Sequence, residues 1–297
     1  MLKKEGTKNL STTTEFITIF TDFSSKIANN YQTMKGVYIL NFFDNIPPST
    51  SVSPISKELY LKNDSNIAVL ILHGYTGSPH DMYYIGRQIH KSGFSIYIPR
   101  LPGHGTNSND FLNSNWRDWL RKSIDSYINL KTYHEKVYIL GLSMGGVIAT
   151  LLASKFHPEK IVLAAPALKA KDWRINLTPF FGLIVKKIKR KNPQTFDDEK
   201  LAYLASQYWN YDWPSKAADL YKLQKMALKN LSKVTSNTYV ILSKKDEAVP
   251  FSVKEIIENN IKGKTEFLIL EESGHVVVND IEKEKVAEQT INWLKKE

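Results

Sequence analysis

Residues 136–153 read "KVYILGLSMGGVIATLLA", and the stretch changes character in the middle. Up to Leu142 it is a run of β-branched, aromatic and leucine side chains, the signature of a strand buried on both faces. From Val147 onward it is an apolar helix former. Between the halves stands Ser143, flanked by Gly141 and Gly145. Side chains at those two positions would clash with a sharp strand-to-helix turn, so the glycines and the serine fit one conformation. Such a turn presents a serine hydroxyl at the carboxyl end of a sheet. The helix behind it aims amide donors and a partial positive charge at the same point. The plainer reading is a glycine-rich turn with an incidental serine, and what lies elsewhere in the chain decides between them.

Further apolar runs bounded by turn residues occur at 67–74, 94–99, 160–167, 238–243 and 265–270. Amphipathic, helix-like segments at 80–92, 116–130, 145–156, 252–260 and 282–296 lie between or after them. This alternation predicts an α/β fold with a mostly parallel central sheet flanked by helices. The rhythm breaks twice. Residues 169–232 hold no convincing strand but many aromatics, and read as an inserted helical cap within a core of 46–168 and 233–297. Residues 1–45 place Phe16, Ile19, Phe20, Phe23 and Ile27 at helical spacing and read as an amphipathic extension before the turn-forming connector "PPSTSVSP".

Composition narrows the function classes. The chain of 297 residues contains no cysteine, which excludes a disulfide framework, thiolate metal sites and cysteine catalysis. Its net charge is +10, yet no nucleic-acid-binding motif accompanies the charge. The excess reads as lysine-rich surface, and no nucleic-acid partner is expected. Behind the basic start "MLKKEGTKNLSTTTEF" there is no apolar run of signal length, and no stretch reaches the roughly 18 apolar residues of a membrane span. A cytoplasmic location is the expectation.

A serine hydroxyl needs a base, and the base needs an orienting acid. Of the seven histidines, His275 in "EESGHVV" follows the last strand-like run, where sites form in open α/β sheets. His90, His134 and His157 sit beside charged or turn residues and read as exposed, and His73 reads as a structural residue of its loop. The acid is expected in "KKDEAVP", at Asp246, with Glu247 the rival. An oxyanion would need two donors, for which the backbone N–H groups of Met144 and Tyr75 are placed best. No metal or organic cofactor is called for.

The motifs "LILHGYTGSPHDM", "IPRLPGHGT", "GLSMGG", "KKDEAVP" and "SGHVV", in this order over about residues 66–297, resemble the bacterial carboxylesterase and monoacylglycerol lipase group of the α/β-hydrolase fold. The resemblance implies a serine hydrolase with Ser143 as nucleophile, Asp246 as acid, His275 as base, and the Tyr75 and Met144 amides as oxyanion donors. It implies a small-molecule ester or acyl-glycerol substrate, cleaved through an acyl-enzyme. Thioesterase, acyl-transferase or peptidase activity on the same fold stays open, as does a non-catalytic binding protein. The chain departs from the group in its long segment before about Asn45 and its large, basic inserted segment. Trp173, Trp209 and Trp213 of that segment are candidate pocket residues. Its stretch 178–191, "TPFFGLIVKKIKRK", joins an apolar run to a basic cluster. That run either packs onto the core or touches a lipid surface.

Overall fold

The computed structural model describes residues 46–296; the N-terminal extension expected at 1–45 lies outside them. The compact unit beginning at Ser49 is built on a seven-stranded sheet. Its first elements are β1 (Leu59–Leu61), β2 (Ile67–Leu72), α1 (Tyr83–Lys91), β3 (Ser95–Ile98), α2 (Ser108–Asn113) and α3 (Trp116–Tyr133). Then come β4 (Lys136–Leu142), α4 (Met144–Phe156) and β5 (Lys160–Ala164). An intervening stretch holds α5 (Thr178–Ile184), β6 (Ile188–Lys189), α6 (Glu199–Leu204), β7 (Tyr211–Asp212) and α7 (Pro214–Asn230). The chain closes with β8 (Asn237–Ser243), α8 (Val253–Asn260), β9 (Thr265–Leu270) and α9 (Lys283–Lys295). The strand order is β1-β3-β2-β4-β5-β8-β9, parallel throughout except for β1, which runs antiparallel to β3.

The central strands are largely apolar because both faces of the sheet are covered. Successive side chains point to opposite faces. Leu70, Leu72, Ile139, Leu163 and Val240 therefore join one core with Trp119 and Tyr127 of α3, Val147 and Ile148 of α4 and Leu223 of α7. Their neighbours Val69, Ile71, Leu140, Val162 and Ile241 join the other core with Ile85 and Ile89 of α1 and Val286, Trp293 and Leu294 of α9. Helix starts follow local chemistry. Asn115 and Asp118 form a reciprocal capping box at the head of α3, and Asn107 accepts amide bonds from Asn109 and Asp110 at the head of α2.

Three features depart from the sequence reading. The edge strand β1, the short helix α2 and the two-residue β6–β7 ladder, which pairs Ile188 with Asp212 and Lys189 with Tyr211, were not expected. Each is too short to carry a periodic signal of its own. His134, expected to be exposed, is buried, and its Nδ1–H donates to the Leu130 carbonyl (3.0 Å) at the end of α3. The unsatisfied carbonyls of a helix C-terminus explain why a histidine turns inward there. His157 is exposed as expected, and His90 is half-buried.

Strand β2 is the pivot of the sheet. The chain continues from it to β3 on one side and, later, to β4 on the other. In open α/β sheets such a reversal leaves a crevice outside the carboxyl ends of the strands. The loops after β2, β4, β8 and β9 carry the residues singled out above.

Candidate active site

Ser143 sits between β4 and α4 with φ 54° and ψ −113°, a left-handed conformation that a side-chain-bearing residue adopts only under constraint. The constraints are visible. Its N–H donates to the Ala164 carbonyl (2.9 Å) on β5, and its carbonyl accepts from Val147 and Ala167 (both 3.1 Å). The flanking glycines make the turn sterically feasible. A Cβ on Gly141 would collide with the Gly145 carbonyl, and one on Gly145 with the Leu72 carbonyl at the end of β2. Any side chain at either position would push the elbow off the sheet.

The Ser143 hydroxyl donates to His275 Nε2 at 2.8 Å, and His275 Nδ1–H donates to both carboxylate oxygens of Asp246 at 2.9 and 3.0 Å. Ser143 and Asp246 are buried, and His275 is mostly so. Asp246 Oδ1 also accepts the amides of Ala248 (2.8 Å) and Val249 (2.9 Å). Burial pushes the Asp246 carboxyl up, but the hydrogen bond and charge of His275, with the two amides, outweigh it and hold the group below the usual carboxylate range. Glu247, its neighbour and rival, is exposed.

The loop after β2 runs against the serine: a Cβ placed on Gly74 would lie 3.3 Å from Ser143 Cβ and 3.8 Å from Oγ. Tyr75 follows directly. Met144 opens α4, and its own N–H lies among the first amides of that helix, which have no partner within the helix. His73 in the same loop has both ring nitrogens engaged. Nδ1–H donates to the Gly74 carbonyl (3.0 Å) and Nε2 accepts from the Leu101 amide (3.1 Å). Complete burial holds its pKa down at about 4, so it is a neutral strut of the loop with no position free for proton transfer.

Two of the three tryptophans meet this loop. Trp209 Nε1–H donates to the Thr76 carbonyl (3.1 Å). The buried Trp213 accepts the Tyr75 hydroxyl on its carbonyl (3.2 Å) and donates Nε1–H to the Tyr208 carbonyl (2.9 Å). Trp173 stands apart on a single helical turn, two-thirds exposed.

Sequence reading missed the scaffold of the His275 loop. Glu282 Oε2 accepts the Glu272 amide, the Ser273 amide and the Ser273 hydroxyl, each at 3.0 Å. Asp280 Oδ2 accepts the Gly274 amide (2.6 Å), and the Ser243 hydroxyl at the end of β8 donates to the Ser273 carbonyl. Burial pushes the Glu282 carboxyl up, yet the two amides, the Ser273 hydroxyl and Lys285 bring it down to about 2. The acids five and seven residues after His275 were the available signal. Among the described residues, no group of three or more His, Asp or Glu side chains could hold a metal ion, and no helix is long and apolar enough to cross a membrane.

A parallel sheet with a serine elbow after β4, an acid after β8 and a histidine after β9 defines an α/β hydrolase. The chain belongs to the Hydrolase_4 family, described as Serine aminopeptidase, S33, which matches residues 63–282. It is 26% identical over 248 residues to a thermostable monoacylglycerol lipase of Bacillus sp. (strain H-257), covering 80% of this chain and 94% of that one. It is 27% identical over 233 residues to a carboxylesterase of Bacillus subtilis (strain 168), covering 77% and 92%. Among solved structures it resembles one described with LipS and LipT, two metagenome-derived lipolytic enzymes. The TM-score is 0.75 at 26% identity, over 83% of this chain and all of that one. The chain is thus a hydrolase of the esterase and lipase type.

Proposed function

We propose that the protein hydrolyses carboxylic esters, of short to medium chain length or of monoacylglycerol type, through a covalent acyl-enzyme. The observation that carries this reading is the continuous relay from the Asp246 carboxylate through His275 to the strained Ser143 hydroxyl, with links of 2.8 to 3.0 Å. His275 takes the Ser143 proton as Oγ attacks the ester carbonyl, and returns it to the leaving alcohol. Water then repeats the sequence on the acyl-enzyme. The amides of Tyr75 and Met144 stabilise the oxyanion, and Asp246 holds the imidazole in the required tautomer.

Residues 169–232 act as the cap over this centre, with Trp209 and Trp213 on its inner side and Trp173 at its edge. The ester reading is favoured over an aminopeptidase at the one buried carboxylate of this segment. A free amino terminus calls for an unpaired anion near the serine. Asp219, the buried carboxylate of α7, is already paired with Lys216 (3.0 Å), whose ammonium also donates to the Ser114 carbonyl. Turnover of p-nitrophenyl esters of graded chain length, monoacylglycerols, acyl thioesters and aminoacyl p-nitroanilides tests the reading. Oxyester and acylglycerol turnover should dominate. Preferential cleavage of the anilides or thioesters would replace it.

A further inference from the structure

The helix α5 is amphipathic in the wrong sense for a domain surface. Its inner face is made of its least bulky positions. Thr178 and Pro179 are half-buried and Gly182 is buried, so close to α7 that a Cβ there would meet the Pro214 carbonyl at 2.7 Å and Ser215 Cα at 2.8 Å. The large apolar residues point away. Phe180 is 75% exposed, Leu183 78% and Ile184 83%, with Phe181 beside them more than half exposed. Trp173 and Leu177 before the helix and Ile188 after it extend the exposed apolar surface. So large an apolar display on one short segment marks a surface that meets something other than water.

The charges beside it say what. Residues 169–191 carry eight basic side chains against one acid, Asp172. Asp172 is taken by Arg174 (2.6 Å), and Arg190 is held by Asp212 (2.9 Å). Lys186, Lys187, Lys189 and Lys191 follow directly on the apolar helix and are all exposed. Apolar side chains with a basic border complement an anionic lipid surface, where rings and aliphatic groups enter the headgroup boundary and ammonium groups meet phosphates.

We infer that α5 and the basic strand after it form a docking face for an anionic lipid surface. This face belongs to the segment whose Trp209 and Trp213 touch the Tyr75 loop. Docking therefore brings the candidate site next to the phase in which long-chain acylglycerols reside. This consequence for substrate rests on the ester-hydrolase reading. The docking itself does not.

The test separates the two. Full-length protein carrying Ser143→Ala, so that no lipid is consumed, is floated with vesicles of phosphatidylcholine alone and of phosphatidylcholine with phosphatidylglycerol, at low and high salt. Binding should require the anionic lipid and weaken as salt screens the lysines. The Leu183→Ser/Ile184→Ser pair and the Lys186→Glu/Lys189→Glu/Lys191→Glu triple should each lower the vesicle-bound fraction by about tenfold or more. With Ser143 restored, both variants should hydrolyse a water-soluble short-chain ester at the parental rate, which also shows that they fold. Equal and poor flotation of parent and variants overturns the docking face. So does a parent that dimerises through α5 without binding vesicles. Absent ester turnover with intact, salt-sensitive flotation would instead overturn the hydrolase reading and leave docking standing.

Discussion

Two six-residue stretches of the chain are almost wholly apolar, "IAVLIL" at 67–72 and "PFFGLI" at 179–184. In the first, strand β2, every residue from Ala68 to Leu72 is completely buried. In the second, within α5, Gly182 alone is buried. Hydrophobicity does not separate them; what covers them does. A central strand has a helical layer on each face, so both sets of alternating side chains find a core. A two-turn helix that rests on a glycine can approach α7 closely only by leaving its bulk outside. The first stretch leads straight into the loop of His73, Gly74 and Tyr75 beside Ser143. The buried stretch leads into the proposed chemistry, and the displayed stretch belongs to the proposed docking face.

That division predicts unequal sensitivity, greatest at the serine. Ser143→Ala should lower kcat on a soluble ester by a factor on the order of 10⁶ with the fold intact by circular dichroism. Residual turnover above a few per cent of the parent would put the chemistry elsewhere. Next is the acid. Asp246→Asn should lower kcat by about 10⁴, because an amide cannot hold His275 in the proton-accepting tautomer. Glu247→Gln, one residue away but exposed, should leave kcat close to the parent's. The reverse outcome would reassign the acid.

Stability tests the comparison itself. Ile71→Ala removes a fully buried side chain between β2 and its helices and should cost about 2–5 kcal/mol in urea unfolding. Ile184→Ser, the same residue type on display, should fall within about 0.5 kcal/mol of the parent. Similar losses at both sites would mean that α5 is covered in solution and would remove the basis for a docking face.

How much of this was legible in the sequence follows the same physics. The parallel strands were readable because burial on both faces forces continuous β-branched runs, as in Lys136–Leu142. Strand β1 was not, because three residues on an edge carry no such run. Ser143, Asp246 and His275 could be singled out because each stands in a loop directly after a strand, and the structure brings the three within hydrogen-bond reach. The clamp on the His275 loop left only a faint trace, two acids further along the chain, because Glu282 and Asp280 act on backbone amides, which impose no pattern on the side chains they hold. The orientation of α5 was open for a related reason. In so short a helix apolar residues occupy most of the circumference, and only the contact of Gly182 with α7 decides which side faces in.

The sealed region should also respond to pH in a way the displayed lysines cannot. His73 is completely buried and neutral, with its pKa lowered to about 4 by desolvation. His104, 5.0 Å away ring to ring and equally buried, is shifted in the same direction by the same cause. In the unfolded chain both would titrate near the ordinary histidine value of about 6.5. Below that pH the unfolded state takes up protons that the folded state refuses, so stability falls as pH falls from about 6.5 towards 4. Below about 4 His73 protonates in both states and contributes no further loss. His73 alone should cost about 2 kcal/mol between pH 7 and pH 5, before most carboxylates titrate, and His104 adds to it. Urea unfolding at the two pH values measures this loss. His73→Asn offers an amide that can replace Nδ1 in the bond to Gly74 but is too short to reach the Leu101 amide, and it does not titrate. It should lower stability at pH 7 and shrink the difference between pH 7 and pH 5. An unfolding free energy that is flat over this range in the parent, or a difference unchanged in the variant, would show that the loop beside Ser143 is open to water and not sealed like the strand that leads into it.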